Sequence, residues 1–468
     1  MASFTLTGFS SVARTLTASE FGIVTKDAEL VVTTDDAITS DGSHFLTLNG
    51  TVLAHSASSF HAVNHYGTSL HAFIGPDGFV SAANGDTFSV NASSTVRIQN
   101  AGTIMSGSDA LDVRATDGSL NMSISNTGTI MGESDGVVLD GGSSTIRFVN
   151  TGTITGQEGF GAFMNFLSGT TGATLLRNSG TISGEEGSFT SDNGTGVNTV
   201  VNDGIMNGDI FLGVNDDVYE GGGGKVSGTV FGEGDNDQLS GGAFTDVFDG
   251  GSGNDTLVGR GGDDLLDGDS GDDFILGGAG NDDVDAGADN DTVNGNGGDD
   301  SIYGEGGNDL LVGQDGSDLL DGGEGQDTMD GGNGDDTIEG GDDNDILRGR
   351  AGEDELAGGL GRDFLTGGQG ADVFVFRSTA ETVVGANRDQ ILDFEQGVDL
   401  ITVAGLSPGV FEFKGTSAFA PSGNAELRLF ETATGSTIVQ LDSNGDGTAD
   451  AEIRVANVTG LTAEDFVL

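Results

Sequence analysis

Residues 304–339 read GEGGNDLLV GQDGSDLLD GGEGQDTMD GGNGDDTIE, four nine-residue units that follow one another without an insertion. The same register runs over residues 232–375 and contains sixteen units. The sixth position is Asp in every unit, and the eighth position is always apolar. A fixed short period predicts a solenoid, in which each unit packs only against its neighbours.

The residue types at these positions point to Ca²⁺ binding. Gly, usual at positions one, two and four, allows left-handed and extended backbone conformations, so that six residues close a tight turn. The carbonyl oxygens of such a turn and its Asp carboxylate are ligands that Ca²⁺ takes in groups of six to eight. The last three residues form a short strand whose eighth side chain points inward. Together with backbone carbonyls of the same turns, the predicted ligands are Asp237, Asp246, Asp255, Asp264, Asp273, Asp282, Asp291, Asp300, Asp309, Asp318, Asp327, Asp336, Asp345, Asp354, Asp363 and Asp372.

Stacking of the units sets the expected number of ions. Two units make one coil, so the turns form two columns with about seven gaps each, and we expect on the order of a dozen Ca²⁺ ions. Four units replace Gly at the fourth position, with Asp235, Phe244, Asp289 and Asp343. Asp tolerates a left-handed conformation and Phe does so poorly. The ion beside Phe244 is therefore predicted to be weak or missing.

The composition agrees with a cation-binding protein. The chain has 468 residues, 75 Asp and Glu against 16 Lys and Arg, and a formal net charge of -59. This charge repels nucleic-acid phosphates and anionic lipid headgroups, so no nucleic-acid partner is expected. Cys is absent, which excludes disulfides and thiolate metal sites. A disordered acidic segment is the alternative, but disorder gives no reason for a nine-residue register.

Beyond the repeats, the C-terminal stretch carries a family resemblance. Apolar segments replace the repeat, DQILDFEQGVDLITVAG from Asp389 and LDSNGDGTADAEIRVANVTGLTAEDFVL from Leu441. With the nonapeptides, they resemble the RTX (repeats-in-toxin) family, particularly its serralysin-type C-terminal region, over residues 232–468. The resemblance implies a Ca²⁺-bound β-roll, folding triggered by extracellular Ca²⁺, and export by type I secretion machinery through an uncleaved signal that includes residues 465–468.

The N-terminal end fits export by such a route. Residues 1–13 lack the basic start and apolar core of a cleaved signal peptide. No apolar stretch approaches the ~20 residues that span a bilayer, so no transmembrane segment is predicted. We therefore expect a secreted, extracellular protein, which can also be associated with a cell surface.

Residues 1–231 carry a second, looser repeat. Asn-x-Gly-Thr-Ile begins at Asn100, Asn126, Asn150 and Asn178, and Asn-Asp-Gly-Ile begins at Asn202. Asn-x-Gly is turn chemistry, and Asn can occupy a left-handed corner. One strand–turn–strand unit per ~25 residues predicts a right-handed parallel β-helix that resembles the passenger helices of bacterial adhesins. The expected fold is all-β: the β-helix over 1–231, the β-roll over 232–375, and a small β cap with the secretion signal over 376–468.

Two further groups of residues could bind metal. All five His lie between His44 and His71, and none is followed by Glu, so the serralysin zinc motif H-E-x-x-H is absent. A transition-metal site would gather His55, His61, His65 and His71, but scattered surface and turn residues are favoured, because no partner stands at ligand spacing. Asp442, Asn444, Asp446, Gly447 and Asp450 imitate an EF-hand loop. Ile453 stands where that loop needs Glu, so a polar hairpin turn is favoured.

The leading functional hypothesis is a non-enzymatic adhesin, matrix or surface-layer component with a Ca²⁺-dependent folding and export module. Its candidate partners are Ca²⁺, the type I secretion machinery and a cell-surface or matrix polysaccharide. The alternative is a secreted lyase or epimerase acting on polysaccharide, with its site on the N-terminal helix. Such a site needs an acidic residue with Arg, Lys or Tyr in a groove. Arg97, Arg147 and Arg177 recur just before the Asn corners, which suggests a structural ladder, and no catalytic residue is predicted.

Overall fold

The fold is described from a computed structural model. It describes residues 3–17, 19–56, 58–116, 120–140, 145–165, 172–192, 196–403, 406 and 410–468. The chain forms two compact units, residues 1–252 and 253–468. The predicted all-β class is confirmed, since strands account for nearly all regular structure and the one helix in the described ranges is a 3₁₀ turn at Ala463–Asp465. Within those ranges, no helix has the length and apolar character to cross a membrane.

The first unit is a three-sided parallel solenoid. Its first side is a ten-stranded parallel sheet of Phe9–Ser10, Glu29–Val32, Thr51–Ala54, Phe79–Ala82, Thr103–Ser106, Thr129–Gly132, Thr153–Gly156, Thr181–Gly184, Ile205–Asn207 and Lys225–Val226. Three long strands, Ile38–Leu48, Val63–Ile74 and Phe88–Asn100, each contribute to both remaining sides. This arrangement agrees with the β-helix predicted for the N-terminal half.

The other two sides are also parallel. The C-terminal parts of the long strands continue into a side formed with Phe4–Leu6, Phe21–Val24, Asn121–Asn126, Thr145–Asn150, Ala173–Asn178, Val197–Asn202, Val218–Glu220 and Gln238–Ser240. Their N-terminal parts continue into a side formed with Arg14–Thr17, Leu111–Ala115, Val137–Asp140, Phe160–Asn165, Gly187–Asp192, Ile210–Phe211, Val230–Phe231 and Val247–Asp249.

The recurring Asn residues form an internal ladder at one edge of the helix. Asn126 Nδ2 donates to Asn150 Oδ1 at 2.9 Å, and Asn150 Nδ2 donates to Asn178 Oδ1 at 2.8 Å. The ladder begins at Asn100 and ends at Asn202, and its members are at most 2 % exposed. None has a positive φ, so none of them occupies a left-handed corner. These Asn residues instead satisfy one another and the neighbouring backbone in the interior, where an unpaired amide would be costly.

The second unit has the predicted two-column roll. One column contains Thr256–Gly261, Phe274–Ala279, Thr292–Gly297, Leu310–Asp315, Thr328–Asn333, Ile346–Ala351, Phe364–Gln369, Gln390–Ile391 and Ala451–Val455. The other contains Leu265–Asp267, Asp283–Asp285, Ser301–Tyr303, Leu319–Glu324, Thr337–Asp342, Glu355–Leu360, Val373–Val375, Leu400–Thr402 and Phe466–Val467. Partners within a column are 18 residues apart through the repeats, as for Leu311 and Met329.

All sixteen eighth-position side chains are at most 1 % exposed, so they fill the interior as predicted. Burying such a side chain contributes about 1.5–3 kcal/mol. One unit alone has nothing to bury it against. The repeat is therefore stable only as a stack.

A small antiparallel cap follows the roll. Glu426–Glu431 pairs with Thr437–Asp442, which pairs with Ala451–Val455, and Glu412–Phe413 joins the edge. The segment after Asp442 is a hairpin turn, as favoured above. Asp442 is fully buried, and its carboxylate accepts the backbone N–H groups of Gly445 and Gly447, each at 2.7 Å. The turn's own backbone therefore uses the oxygens that an EF-hand would offer to a cation.

Candidate metal-binding turns

The sixth-position Asp residues share one environment. All sixteen are buried, at most 5 % exposed. From Asp273 to Asp372, Oδ1 of each accepts the backbone N–H of the Asp one coil earlier; Asp300 donates to Asp318 and Asp318 donates to Asp336, both at 2.9 Å. Each of these Asp residues lies between the turn that precedes it and the strand that follows it, and these two elements fix its place. The result is two columns of carboxylates, each held by a neighbouring coil.

The second carboxylate oxygen differs from the first. In twelve of these residues it is buried and has no hydrogen-bond donor in the described structure: Asp273, Asp282, Asp291, Asp300, Asp309, Asp318, Asp327, Asp336, Asp345, Asp354, Asp363 and Asp372. A buried charged oxygen without a partner costs several kcal/mol. Because the same oxygen lacks a hydrogen-bond partner in turn after turn, these positions suit a cation.

First-position glycines line the space around these oxygens. A Cβ added to Gly322 would stand 2.5 Å from Asp327 Oδ2 and 2.5 Å from the Gly340 carbonyl oxygen. Gly322 does not have a positive φ, whereas positions two and four commonly do. Position one is therefore Gly because a carboxylate and the next coil's carbonyl approach it closely, a reason that sequence reasoning did not supply.

Burial shifts the ionisation of the columns. It raises the pKa of Asp300 to about 7, with a further increase from the charges of Asp282 and Asp318. It raises the pKa of Asp345 to about 8, where Asp363 and Asp327 add repulsion. Backbone N–H donors act in the opposite direction but do not outweigh burial. The folded columns thus disfavour the ionised carboxylates unless a positive charge accompanies them.

The deviating turns behave as their side chains require. Asp235, Asp289 and Asp343 have φ of 70°, 82° and 76°, while Phe244 has no positive φ and is 50 % exposed. In its turn, Asp246 Oδ2 accepts the N–H of Gly242 at 2.8 Å. This use of the second oxygen agrees with a defective turn at Phe244, whose effect on binding remains a prediction.

Three further Asp residues extend the carboxylate columns. Asp217 accepts the N–H of Asn198 at 2.6 Å in the first unit, and Asp389 and Asp399 accept those of Asp363 and Asp372 in the second. All three are at most 4 % exposed. Their spacing departs from the nine-residue period, so the period did not identify them as ligands. The remaining signal was local: each precedes an inward apolar residue by two positions, as Asp389 precedes Ile391.

The donor set fits a hard cation that takes several backbone ligands. Each turn supplies one carboxylate oxygen and nearby carbonyl oxygens, which are ligands that Ca²⁺ prefers. Among the described residues, no three His, Asp or Glu side chains gather as a metal-ligand cluster. A cation in these turns would therefore depend on carbonyl oxygens as much as on carboxylates.

The prediction of scattered surface and turn positions fits His55, which is exposed outside a strand, but it is wrong for His65. His44 and His65 are buried, with ring centroids 5.9 Å apart, and Ser40 Oγ lies 2.8 Å from His65 Nδ1. Burial lowers the pKa of His65 to about 4. Their rings fill the helix interior, where the alternation of the long strands directs them. The alternation of buried residues along Val63–Ile74 was the signal that could have placed His65 inward.

Known proteins place the repeat region in a family. Residues 230–468 match the family model for the peptidase M10 serralysin C terminal. A solution structure of a subunit of the mannuronan C5-epimerase from Azotobacter vinelandii is 30 % identical, covers 32 % of this chain and 79 % of that chain, and has a TM-score of 0.25. No curated protein sequence matches the chain.

RTX-type repeats of this kind generally bind calcium. The family match spans slightly more than half of the chain and includes both the roll and its cap. The predicted resemblance is confirmed: the chain belongs to the peptidase M10 serralysin C-terminal family, with RTX-type repeats.

Proposed function

We propose that this chain is an exported protein whose repeats fold when Ca²⁺ enters the stacked turns, and whose first unit is a non-enzymatic binding body. The observation that carries the proposal is the set of twelve buried, unpartnered carboxylate oxygens. The sixth-position Asp residues and turn carbonyls would hold the ions. Bound Ca²⁺ would neutralise the columns, and ion-binding free energy would become folding free energy.

Family membership supports the route outside the cell. RTX-type repeats are associated with type I secretion, and we assign the uncleaved signal to the final residues, including Asp465. In the fold, Asp465 closes a capping box with Thr462, and Phe466–Val467 pairs with the strand Leu400–Thr402. These residues would be accessible before folding and locked into the roll afterwards. This order of events suits a repeat region that crosses unfolded and folds in extracellular Ca²⁺.

The test is a calcium-binding measurement on the full chain with two paired variants. Equilibrium dialysis should give on the order of a dozen ions per chain. Asp300→Asn together with Asp318→Asn should lower the stoichiometry and raise the Ca²⁺ concentration needed for folding. The control is Asp315→Asn, because Asp315 is exposed and its carboxylate accepts a hydrogen bond from Asn333 at the surface. Wild-type binding of one or two ions, or equal effects of the paired and control variants, would refute the proposal.

One observation favours the enzymatic alternative. Tyr66, Asn91 and Arg114 occupy successive rungs of one side, and Arg114 Nε donates to Asp112 Oδ1 at 2.9 Å. An acidic residue beside Arg, with a Tyr 60 % exposed nearby, has the composition of a proton-transfer site. Unsaturated or epimerised products from acidic polysaccharides, lost in Arg114→Gln, would replace the binding proposal with this one.

A further inference from the structure

One side of the first unit lacks acidic residues. We define the acid-free face as the outward side chains of the rungs 21–24, 43–48, 69–74, 95–100, 121–126, 145–150, 173–178 and 197–202. None of these described residues is Asp or Glu, although 75 of the chain's 468 residues are acidic. The strand after the last of these rungs contains an acidic residue, Glu220, which pairs with Val201. Another side of the same unit carries Asp41 and Asp140, whereas the strands of the ten-stranded sheet carry one acidic residue, Glu29, so a scarcity of acids is shared with that sheet and the groups described next distinguish the face.

The face also carries basic groups. Arg97, Arg147 and Arg177 are exposed, and in the described part of the chain none forms an ion pair. Arg97 and Arg147 share one outward row with Ser123 between them, and Arg177 lies one rung further in the adjacent row. The predicted structural ladder of these three residues is wrong, because their registers differ. Unpaired guanidinium groups on a polyanionic chain are free to meet an external anion.

Aromatic rings occupy the N-terminal end of the face. Phe45 is 60 % exposed and Phe73 is 41 % exposed, and His71 meets Phe45 edge to face at 4.8 Å. With Arg97 and Gln99 they border a shallow cavity of about 220 Å³. Exposed rings beside hydrogen-bonding side chains are typical of a surface that packs against the C–H face of a sugar.

We propose that the acid-free face binds an acidic polysaccharide, one whose sugars carry carboxylates. The rungs are about 4.8 Å apart, so the three Arg residues spread over about 14 Å. Duplex DNA presents one charge per about 1.7 Å and would call for a much denser basic surface. Ser, Thr and Gln side chains between the Arg residues suit hydroxyl groups that alternate with sparse carboxylates.

The chain's net negative charge does not exclude this ligand. The screening length is about 8 Å at physiological ionic strength, so acidic groups on the other sides act weakly on a polymer held here. The proposal deepens the proposed function, because it names the ligand of the binding body. It rests on that function in one respect, because the protein must be exported in order to meet the polysaccharide outside the cell.

The test uses the Ca²⁺-loaded full chain and short oligogalacturonates, with their methyl esters as uncharged counterparts. Calorimetry should show binding that weakens about tenfold on esterification. The variant Arg97→Gln, Arg147→Gln, Arg177→Gln should lose roughly tenfold in affinity, the sum of three exposed charge contacts. Phe73→Ser should weaken the binding of both the oligogalacturonates and their methyl esters. The matched control is Lys225→Gln, an exposed cation on the ten-stranded sheet of the same unit, which should bind like the wild type.

Several outcomes would overturn the inference. These are equal affinity for the esters, an unchanged triple variant, or single-stranded DNA bound as tightly through the same Arg residues. Circular dichroism of the same samples separates the two proposals. Lack of Ca²⁺-dependent folding refutes the proposed function alone, and lack of binding by protein that folds with Ca²⁺ refutes this inference alone.

Discussion

At the scale of single residues, the nonapeptide assigns separate tasks to Asp and to the first Gly. The carboxylate's Oδ1 ties successive coils together, and its Oδ2 faces the space beside the glycine. The sixth-position Asp could be predicted from the sequence because a strict period identifies it. The sequence also shows that position one is usually Gly, but it does not show why. The reason is the close approach of the next coil, which is visible only in three dimensions.

A glycine substitution tests this division. Gly322→Ala places a methyl group against Asp327 Oδ2 and the Gly340 carbonyl oxygen, so it should destabilise the Ca²⁺-loaded protein by about 1–3 kcal/mol. The control is Gly306→Ala, where the nearest atom would be 4.0 Å away and φ is not left-handed. It should change stability by less than about 0.5 kcal/mol. Urea unfolding checks both, and equal losses would contradict the assigned role.

His61 gives the first unit a pH dependence. Its Nδ1 lies 3.2 Å from Asp36 Oδ1 and its Nε2 lies 3.7 Å from Asp86 Oδ2. Hydrogen bonds to Asp36 and Asp86 raise the pKa of His61 to about 9. A raised His pKa stabilises the fold fully below its ordinary value near 6.5, and this stabilisation is lost as pH rises through about 9.

The matching experiment compares His61→Gln with the wild type by urea unfolding in saturating Ca²⁺. At pH 6 the variant should be less stable by up to about 3 kcal/mol, and near pH 10 the difference should shrink towards zero. Taking the difference between the two proteins removes the pH dependence of the Ca²⁺ sites. A difference that is constant between pH 6 and pH 10 would contradict the ion-pair assignment.

At the scale of elements, period decides how much the sequence reveals. The inward apolar positions of the roll follow a nine-residue rule, so its strands and columns could be predicted. The three-sided helix was predictable as a β-helix from the Asn motifs, but the internal amide ladder was not. An Asn motif is compatible with a turn and with an internal ladder, and only the hydrogen bond between the stacked Asn126 and Asn150 distinguishes the two roles. Asp217, Asp389 and Asp399 were missed because the coils that carry them are longer.

At the scale of the whole molecule, charge and folding are linked. The net charge of -59 opposes compaction, and the columns of the second unit concentrate carboxylates in its interior. The first unit has a different source of stability, a continuous apolar interior with an amide ladder that needs no ion. The two units should therefore respond differently to calcium removal.

Hydrogen exchange of the full chain tests this central claim most directly. In excess chelator, amides of residues 253–375 should exchange rapidly, and at roughly 0.1–1 mM Ca²⁺ they should become protected in a cooperative transition. Strands of the Asn ladder, such as Thr145–Asn150, should be protected in both conditions and serve as the internal control. Full protection of residues 253–375 in chelator would contradict the account.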